Sequence, residues 1–345
     1  MQKAQGARPR KLTMLIVMSI VMSIVLAAIA VLAILFVTPL RSLATLRQVD
    51  DYPLYVMHLY GSYGFDEYLE EGQQATSGLP APEHEHCEPW ACSVFAALNQ
   101  DGDLLLGRNF DWFNRPTLLL FAHPPDGYTS VSMVDMSYLG FGTGEPSWSD
   151  RIRLLDAPYL PFDGMNEHGL AVGMMAVPQA RGAQDPQQAT IDSLEAIRLI
   201  LDSARSVEEA VALLGSYNID WGSGPALHYL VADASGQSAV IEFVAGEMVV
   251  LPNEEAWQVA TNFTMSGHSP KGARRLCQRY AKAYETLESK EGQLSEEQAM
   301  GLLQDVSQTI TMWSILYNLT TGDISVVMGR DYDQVHEFQL GMGSR

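Results

Sequence analysis

The sequence predicts an α+β layered domain in which antiparallel sheets are covered by helices, and three observations predict it. From Cys92 onward, short apolar runs of strand length recur between turn signals. Helical periodicity is confined to the middle and the end of the chain, at 191–217 and 272–306. Nothing shows the strict strand–helix alternation of a doubly wound fold.

The first element is apolar. Leu12 to Thr38 is a run of 27 uncharged residues, and about 20 apolar residues suffice to span a bilayer. Lys3, Arg8, Arg10 and Lys11 precede it, and no acid stands in residues 1–38. That bias puts the N-terminus in the cytoplasm. The expectation is a single-pass, uncleaved transmembrane signal anchor at 12–38, with 1–11 cytoplasmic and the rest extracytoplasmic at the cell membrane. A long cleaved signal is the alternative. Residues 39–91 read as a connector or propeptide with a short helix or two, closing on the Pro- and Gly-rich QQATSGLPAPEHEHCEPWA.

The domain at 92–345 opens with SVFAAL (93–98) and DLLLGRNFD (103–111), which flank Asn99–Gly102 as a hairpin. PTLLLFAH, YTSVSMVDM, GLAVGMMAV, ALHYLVAD, SAVIEFVA, EMVVLP, WQVAT, TMWSILYNL and DISVVMG read as further strands. Turns fall at Asp233–Gly236 and Thr320–Asp323. IDSLEAIRLILDSA (191–204) and SVEEAVALLGSY (206–217) read as helices, the second opening on the capping-box pattern Ser206-x-x-Glu209. In 272–306, GARRLCQRYAKAYETL is followed by a second helix opened by Ser295-x-x-Gln298.

Composition removes several function classes. The 345 residues carry a formal charge of −20, whereas a protein living on phosphate contacts needs a basic face, so no nucleic-acid partner is expected. Three cysteines are too few for a disulfide scaffold or a four-cysteine zinc site. There is no GxSxG elbow, no GxxxxGK[ST] loop and no HExxH. His84-Glu85-His86-Cys87 has metal-type side chains, but no second ligand pair follows at zinc-like spacing. Neither metal nor cofactor is expected. Cys87 and Cys277 could pair in an oxidising compartment, which geometry alone decides.

Cys92 stands where the connector gives way to strands, and Gly107-Arg108-Asn109-Phe110-Asp111 closes the hairpin behind it, with Arg108 sixteen positions beyond the cysteine. Here the sequence resembles the choloylglycine hydrolase or linear amide C–N hydrolase family, whose mature chains start at a cysteine followed by a hairpin ending in G-R-N-x-D. DGMNEHGLAVG (163–173) is similar to its N-E-x-G-L hairpin, ALHYLVADASGQSAVIEF (226–243) to its central hairpin and VATNF (259–263) to its T-N strand. CQRYAKAYETL resembles its arginine-bearing helix, and TMWSILYNLTTGDISV its closing hairpin. The resemblance covers about 88–330 and implies an αββα N-terminal-nucleophile sandwich, here preceded by one transmembrane helix.

It also implies a mechanism. A thiol needs a nearby base to react at neutral pH. Cutting Ala91–Cys92 autocatalytically would expose an α-amine that can take the thiol proton, and none of the eight histidines falls in a matched motif. Arg108 is then expected to stabilise the thiolate and Asp111 to hold the ammonium. Asn262 would donate to the oxyanion, and Arg279 would extend the polar network, with Arg274 and Arg275 as alternatives for that arginine. Bile-salt hydrolases carry an Asn, and penicillin acylases often a Tyr, after the N-E-x-G-L hairpin. Val172–Val177 offers no side-chain donor there, so a second oxyanion donor would be a backbone N–H, and the methionines suit an acyl or lipid-like chain. The expected partner is a small N-acyl amide, with the membrane as partner of the N-terminal helix and oligomeric state left open. Two alternatives are an acyltransferase of the penicillin acyl-transferase type and a catalytically inactive, membrane-tethered binding domain.

Overall fold

A computed structural model describes residues 9–70, 91–112, 115–177, 179–222 and 224–343. It opens with α1 (Pro9–Ala44), β1 (Arg47–Asp50), β2 (Leu54–Tyr60) and α2 (Phe65–Glu70). Next come β3 (Ala91–Leu98), β4 (Leu104–Asp111), β5 (Thr117–His123), β6 (Ser130–Asp135), β7 (Asp163–Asn166) and β8 (Leu170–Ala176). A middle segment holds β9 (Thr190–Asp192), α3 (Ser193–Ser203), α4 (Val207–Leu214) and β10 (Asn218–Asp220). Then follow β11 (Leu227–Asp233), β12 (Ser238–Val244), β13 (Glu247–Pro252) and β14 (Gln258–Ala260). The chain closes with α5 (Pro270–Leu276), α6 (Gln278–Ser289), α7 (Glu296–Asp305), β15 (Thr311–Asn318), β16 (Asp323–Met328) and β17 (His336–Gln339).

Two sheets face one another. One runs β1-β2-β5-β6-β7-β8-β11-β12-β13 and the other β14-β3-β4-β15-β16-β17. α3 and α4 pack on β7, β8, β11 and β12, while α6 and α7 pack on β3, β4, β14 and β15. The result is the helix–sheet–sheet–helix order expected of an α+β sandwich. Strand periodicity builds it: Cys92, Val94 and Ala96 of β3 join the larger core, while Phe95 and Ala97 join the one under α5–α7. Leu104, Leu106 and Phe110 of β4 follow the first pattern, and Leu105 the second. The sheets close tightly at Gly173, where an added Cβ would stand 3.1 Å from Val94 and 3.3 Å from the Arg108 Cδ.

Three expectations need correction. The connector 39–91 contains two sheet strands, for β2 pairs in parallel with β5 along its whole length. Leu54, Tyr55, Val56, Met57 and Leu59 are all buried, so both faces are covered and no polar alternation marks the strand. The first helix of 272–306 is two helices, broken at Cys277, whose extended backbone (φ −141°, ψ 122°) ends α5 and starts α6. The Ser206 box is half formed: Ser206 accepts from the Glu209 N–H, but the Glu209 carboxylate takes the Arg205 N–H. Complete boxes cap α3 (Asp192, Glu195) and α7 (Ser295, Gln298).

Residues 12–38 lie within α1. Side chains 12 and 28–36 of this run are outside the described residues, and among the described residues no helix is long and apolar enough to cross a membrane. The expected anchor therefore finds no support there. The 84–87 cluster also lies outside the described residues.

Candidate active site

Cys92 is the second residue of β3, opposite Phe110 of β4, and Val94 pairs with Arg108. The hairpin thus converts a sixteen-residue separation into neighbouring positions on one face. Cys92 is buried and lines a cavity of about 500 Å³ with Arg108, Phe110, Asp111, Met174 and Ala176. Burial pushes its thiol pKa up. The cations of Arg108 and Arg279 and the Asp111 backbone N–H pull it down, and the Asp111 carboxylate adds to the rise.

The Cys92 peptide is held at both ends. Its N–H donates to the Asn262 Oδ1, and its carbonyl accepts from the Arg279 guanidinium. Arg279 also donates to Ser93 Oγ (2.9 Å) and to Asn262 Oδ1 (3.0 Å). Of the three arginines weighed for this place, Arg279 is the one at the nucleophile. Arg274 instead stacks 4.7 Å over the Tyr284 ring, and Arg275 is exposed.

Asn262 follows β14, and its carboxamide nitrogen donates to the Ala176 carbonyl at 3.0 Å. Its oxygen, rather than its nitrogen, therefore faces the Cys92 N–H. The loop that carries it is clamped. His228 is hydrogen-bonded to the Thr261 carbonyl (2.8 Å) and to Glu242 (3.3 Å), and Glu242 accepts from the Met265 and Ser266 N–H groups. Burial pushes Glu242 up, but these hydrogen bonds win and bring its pKa down to about 2.

Asp111 ends β4 with one carboxylate oxygen on the Thr311 hydroxyl. The other, Oδ2, is buried without a hydrogen-bond partner, 3.9 Å from Arg279. Burial is the main reason its pKa is pushed up to about 6.

Arg108 is fully buried. Its partner is Asp163, the first residue of β7, and it also donates to the carbonyls of Phe162 and, at 3.1 Å, Met174. Asp163 in turn accepts from Tyr317 Oη (2.6 Å) and Trp313 Nε1 (3.1 Å). The Val172–Val177 stretch contributes acceptors to the site, the carbonyls of Met174 and Ala176. Sequence reasoning missed Asp163, Thr311 and the His228–Glu242 clamp. A signal for Asp163 existed: an arginine inside the apolar LLLGRNF demands a buried acid somewhere.

The structure thus brings the other four residues expected at the site, Arg108, Asp111, Asn262 and Arg279, together around Cys92. The profile of the family described as acyl-coenzyme A:6-aminopenicillanic acid acyl-transferase matches residues 161–344, just over half of the chain. Two solved variants of conjugated bile acid hydrolase from Clostridium perfringens are similar at TM-score 0.53, with 17% and 16% identity, over 72% of this chain and 92% of theirs. At that identity the likeness shows the fold. An uncharacterized protein of Paramecium bursaria Chlorella virus 1 is 32% identical over 101 residues, which is 27% of this chain and spans 36% of that protein's length.

Proposed function

Because the chain belongs to the acyl-coenzyme A:6-aminopenicillanic acid acyl-transferase family, we propose that it hydrolyses a linear amide C–N bond in a small N-acyl substrate, through an acyl-cysteine intermediate at Cys92. One observation carries the reading: a cavity-lining thiol whose own peptide N–H and carbonyl are held by Asn262 and Arg279. A structural cysteine would not need its backbone fixed by two polar side chains.

While Cys92 is internal its nitrogen is an amide and cannot serve as a base. The thiol attacks the Ala91 carbonyl carbon, the peptide C–N bond breaks, and water hydrolyses the resulting thioester to leave a free α-amine. That amine takes the Sγ proton when the thiolate attacks the substrate carbonyl. The new ammonium would find two acceptors, the Asn262 Oδ1 and the Asp111 Oδ2, which accepts no hydrogen bond of its own. The second N–H of Asn262 Nδ2 serves the oxyanion. As the substrate C–N bond breaks, the ammonium returns its proton to the leaving amine. The α-amine then deprotonates a water that cleaves the acyl-thioester. β2 belongs to the large sheet, which supports the pre-cysteine segment staying seated after the cut.

Acyl transfer to an amine is the second reading, favoured by the family's description. Adding a free amine to the acyl-enzyme and comparing amide with carboxylic acid product separates the two. Location is proposed from sequence alone: the basic flank and apolar run of residues 1–38 favour a membrane-attached, extracytoplasmic domain. Protease treatment of intact cells tests it.

The main test is intact-mass analysis. Wild-type protein should yield a chain beginning at Cys92 and gain one acyl group on incubation with an N-acyl amide. Cys92→Ala should remain uncut and fall to background turnover. Amide hydrolysis by the alanine variant, or by an uncut chain, would overturn the proposal.

A further inference from the structure

The wall of the cavity carries a charge argument about what enters it. Among the described residues it holds four carboxylates, Asp111, Asp156, Asp192 and Glu195, against one guanidinium, Arg108. That guanidinium is engaged by Asp163 and by the carbonyls of Phe162 and Met174. The N-terminus of α3 also faces the cavity, and a helix start is ordinarily a place for an anion. Here its donors are taken: the Leu194 and Glu195 N–H groups bind Asp192 Oδ1 at 2.7 and 2.8 Å, and the Asp192 N–H binds Glu195 at 2.7 Å. An anionic substrate would meet carboxylates and find these donors occupied.

A cation meets the reverse. Tyr68 and Tyr159 pack edge to face at 5.5 Å and share the lining with Trp221. Tyr68 is fixed by its hydroxyl on Glu195, and the faces of such rings attract ammonium groups. Asp156 stands exposed in the same lining.

We propose that the site takes an N-acyl amide bearing an ammonium group at the end remote from the scissile bond, and discriminates against carboxylate- or sulfonate-bearing amides. The inference rests on the amide-hydrolase reading only for the bond that reacts.

Decylammonium and decanoate, matched in chain and neither one an amide, test it by calorimetric titration into the full-length wild-type protein at pH 7.5. Decylammonium should bind at least about tenfold tighter, with the preference shrinking as salt is added. Asp156→Asn should reduce that preference about threefold, the share expected of one exposed charge. Decanoate binding as tightly as decylammonium, a preference indifferent to salt, or binding of neither would overturn the inference. Acylation by p-nitrophenyl decanoate, read as added mass on Cys92, tests the chemistry separately. A charge preference without an adduct upholds this inference and sinks the hydrolase reading; an adduct without a preference does the opposite.

Discussion

Two guanidinium groups approach Cys92 from opposite sides of its sheet, and they are held in opposite ways. Arg108 points into the space between the sheets, where it pairs with Asp163 of β7 and donates to the carbonyls of Phe162 and of Met174 in β8. Arg279 comes from the helical layer, lies 3.9 Å from its nearest carboxylate, and spends its hydrogen bonds on Cys92, Ser93 and Asn262. The first rivets two sheets together, and its charge also pulls the neighbouring thiol pKa down. The second grips the nucleophile's own peptide. Nearness to one cysteine therefore conceals two different dependences, one chiefly of the fold and one of the chemistry.

Removing the rivet should have the largest effect. Arg108→Met leaves the Asp163 carboxylate buried without its cation, a loss of about 3–5 kcal/mol readable in urea unfolding. The folded fraction should lose some specific activity, because the cation also favours the thiolate, but less than Arg279→Gln loses. A stable variant whose turnover falls a hundredfold would break the comparison, because Arg108 would then serve the chemistry as much as Arg279 does. Arg279→Gln should invert the pattern. Processing and amide turnover should fall about a hundredfold, or some 2.7 kcal/mol, with an unfolding midpoint close to wild type; collapse of the fold would make it a second rivet.

The smallest effect sharpens the comparison through Asp111, which lies between the two. Its pKa is pushed up to about 6 by burial, against about 3.9 in an unfolded chain. The folded state therefore binds the proton more tightly, so this contribution to stability is fully present below about pH 4 and lost as pH rises through 6. Unfolding free energy of wild type minus that of Asp111→Asn should decline by about 1–3 kcal/mol from pH 4 to pH 7. A flat difference would mean that Arg279 neutralises the carboxylate in practice.

Much of this was legible beforehand, for identifiable reasons. The β3–β4 hairpin carried its own register: turn residues at 99–102 and alternate apolar positions set Val94 against Arg108. Arg108 and Asp111 beside the thiol followed from one motif and its offset, whereas Asn262 and Arg279 rested on the resemblance of two later segments. β2 stayed hidden because a seven-residue strand buried on both faces and paired in parallel has neither alternation nor a hairpin turn. Asp163 stayed hidden because a pair formed across 55 positions belongs to the packing of two sheets, which no local pattern encodes. The donor-poor cavity wall is hidden for the same reason: whether Asp192 caps a helix or greets a ligand depends on where α3 begins.

The parallel seam between β2 and β5 changes the molecularity of folding. In the uncut chain both strands belong to one molecule, so refolding is first order and its yield is independent of dilution. A cut at Ala91–Cys92 would put β2 on one polypeptide and β5 on another, joined along Leu54–Tyr60 and Thr117–His123. Denaturing that product would release two chains, and recovery would then demand a second-order encounter that dilution slows. Maturation would thus act as a one-way valve, since a protein able to fold alone becomes one that can be unfolded in dilute solution only once.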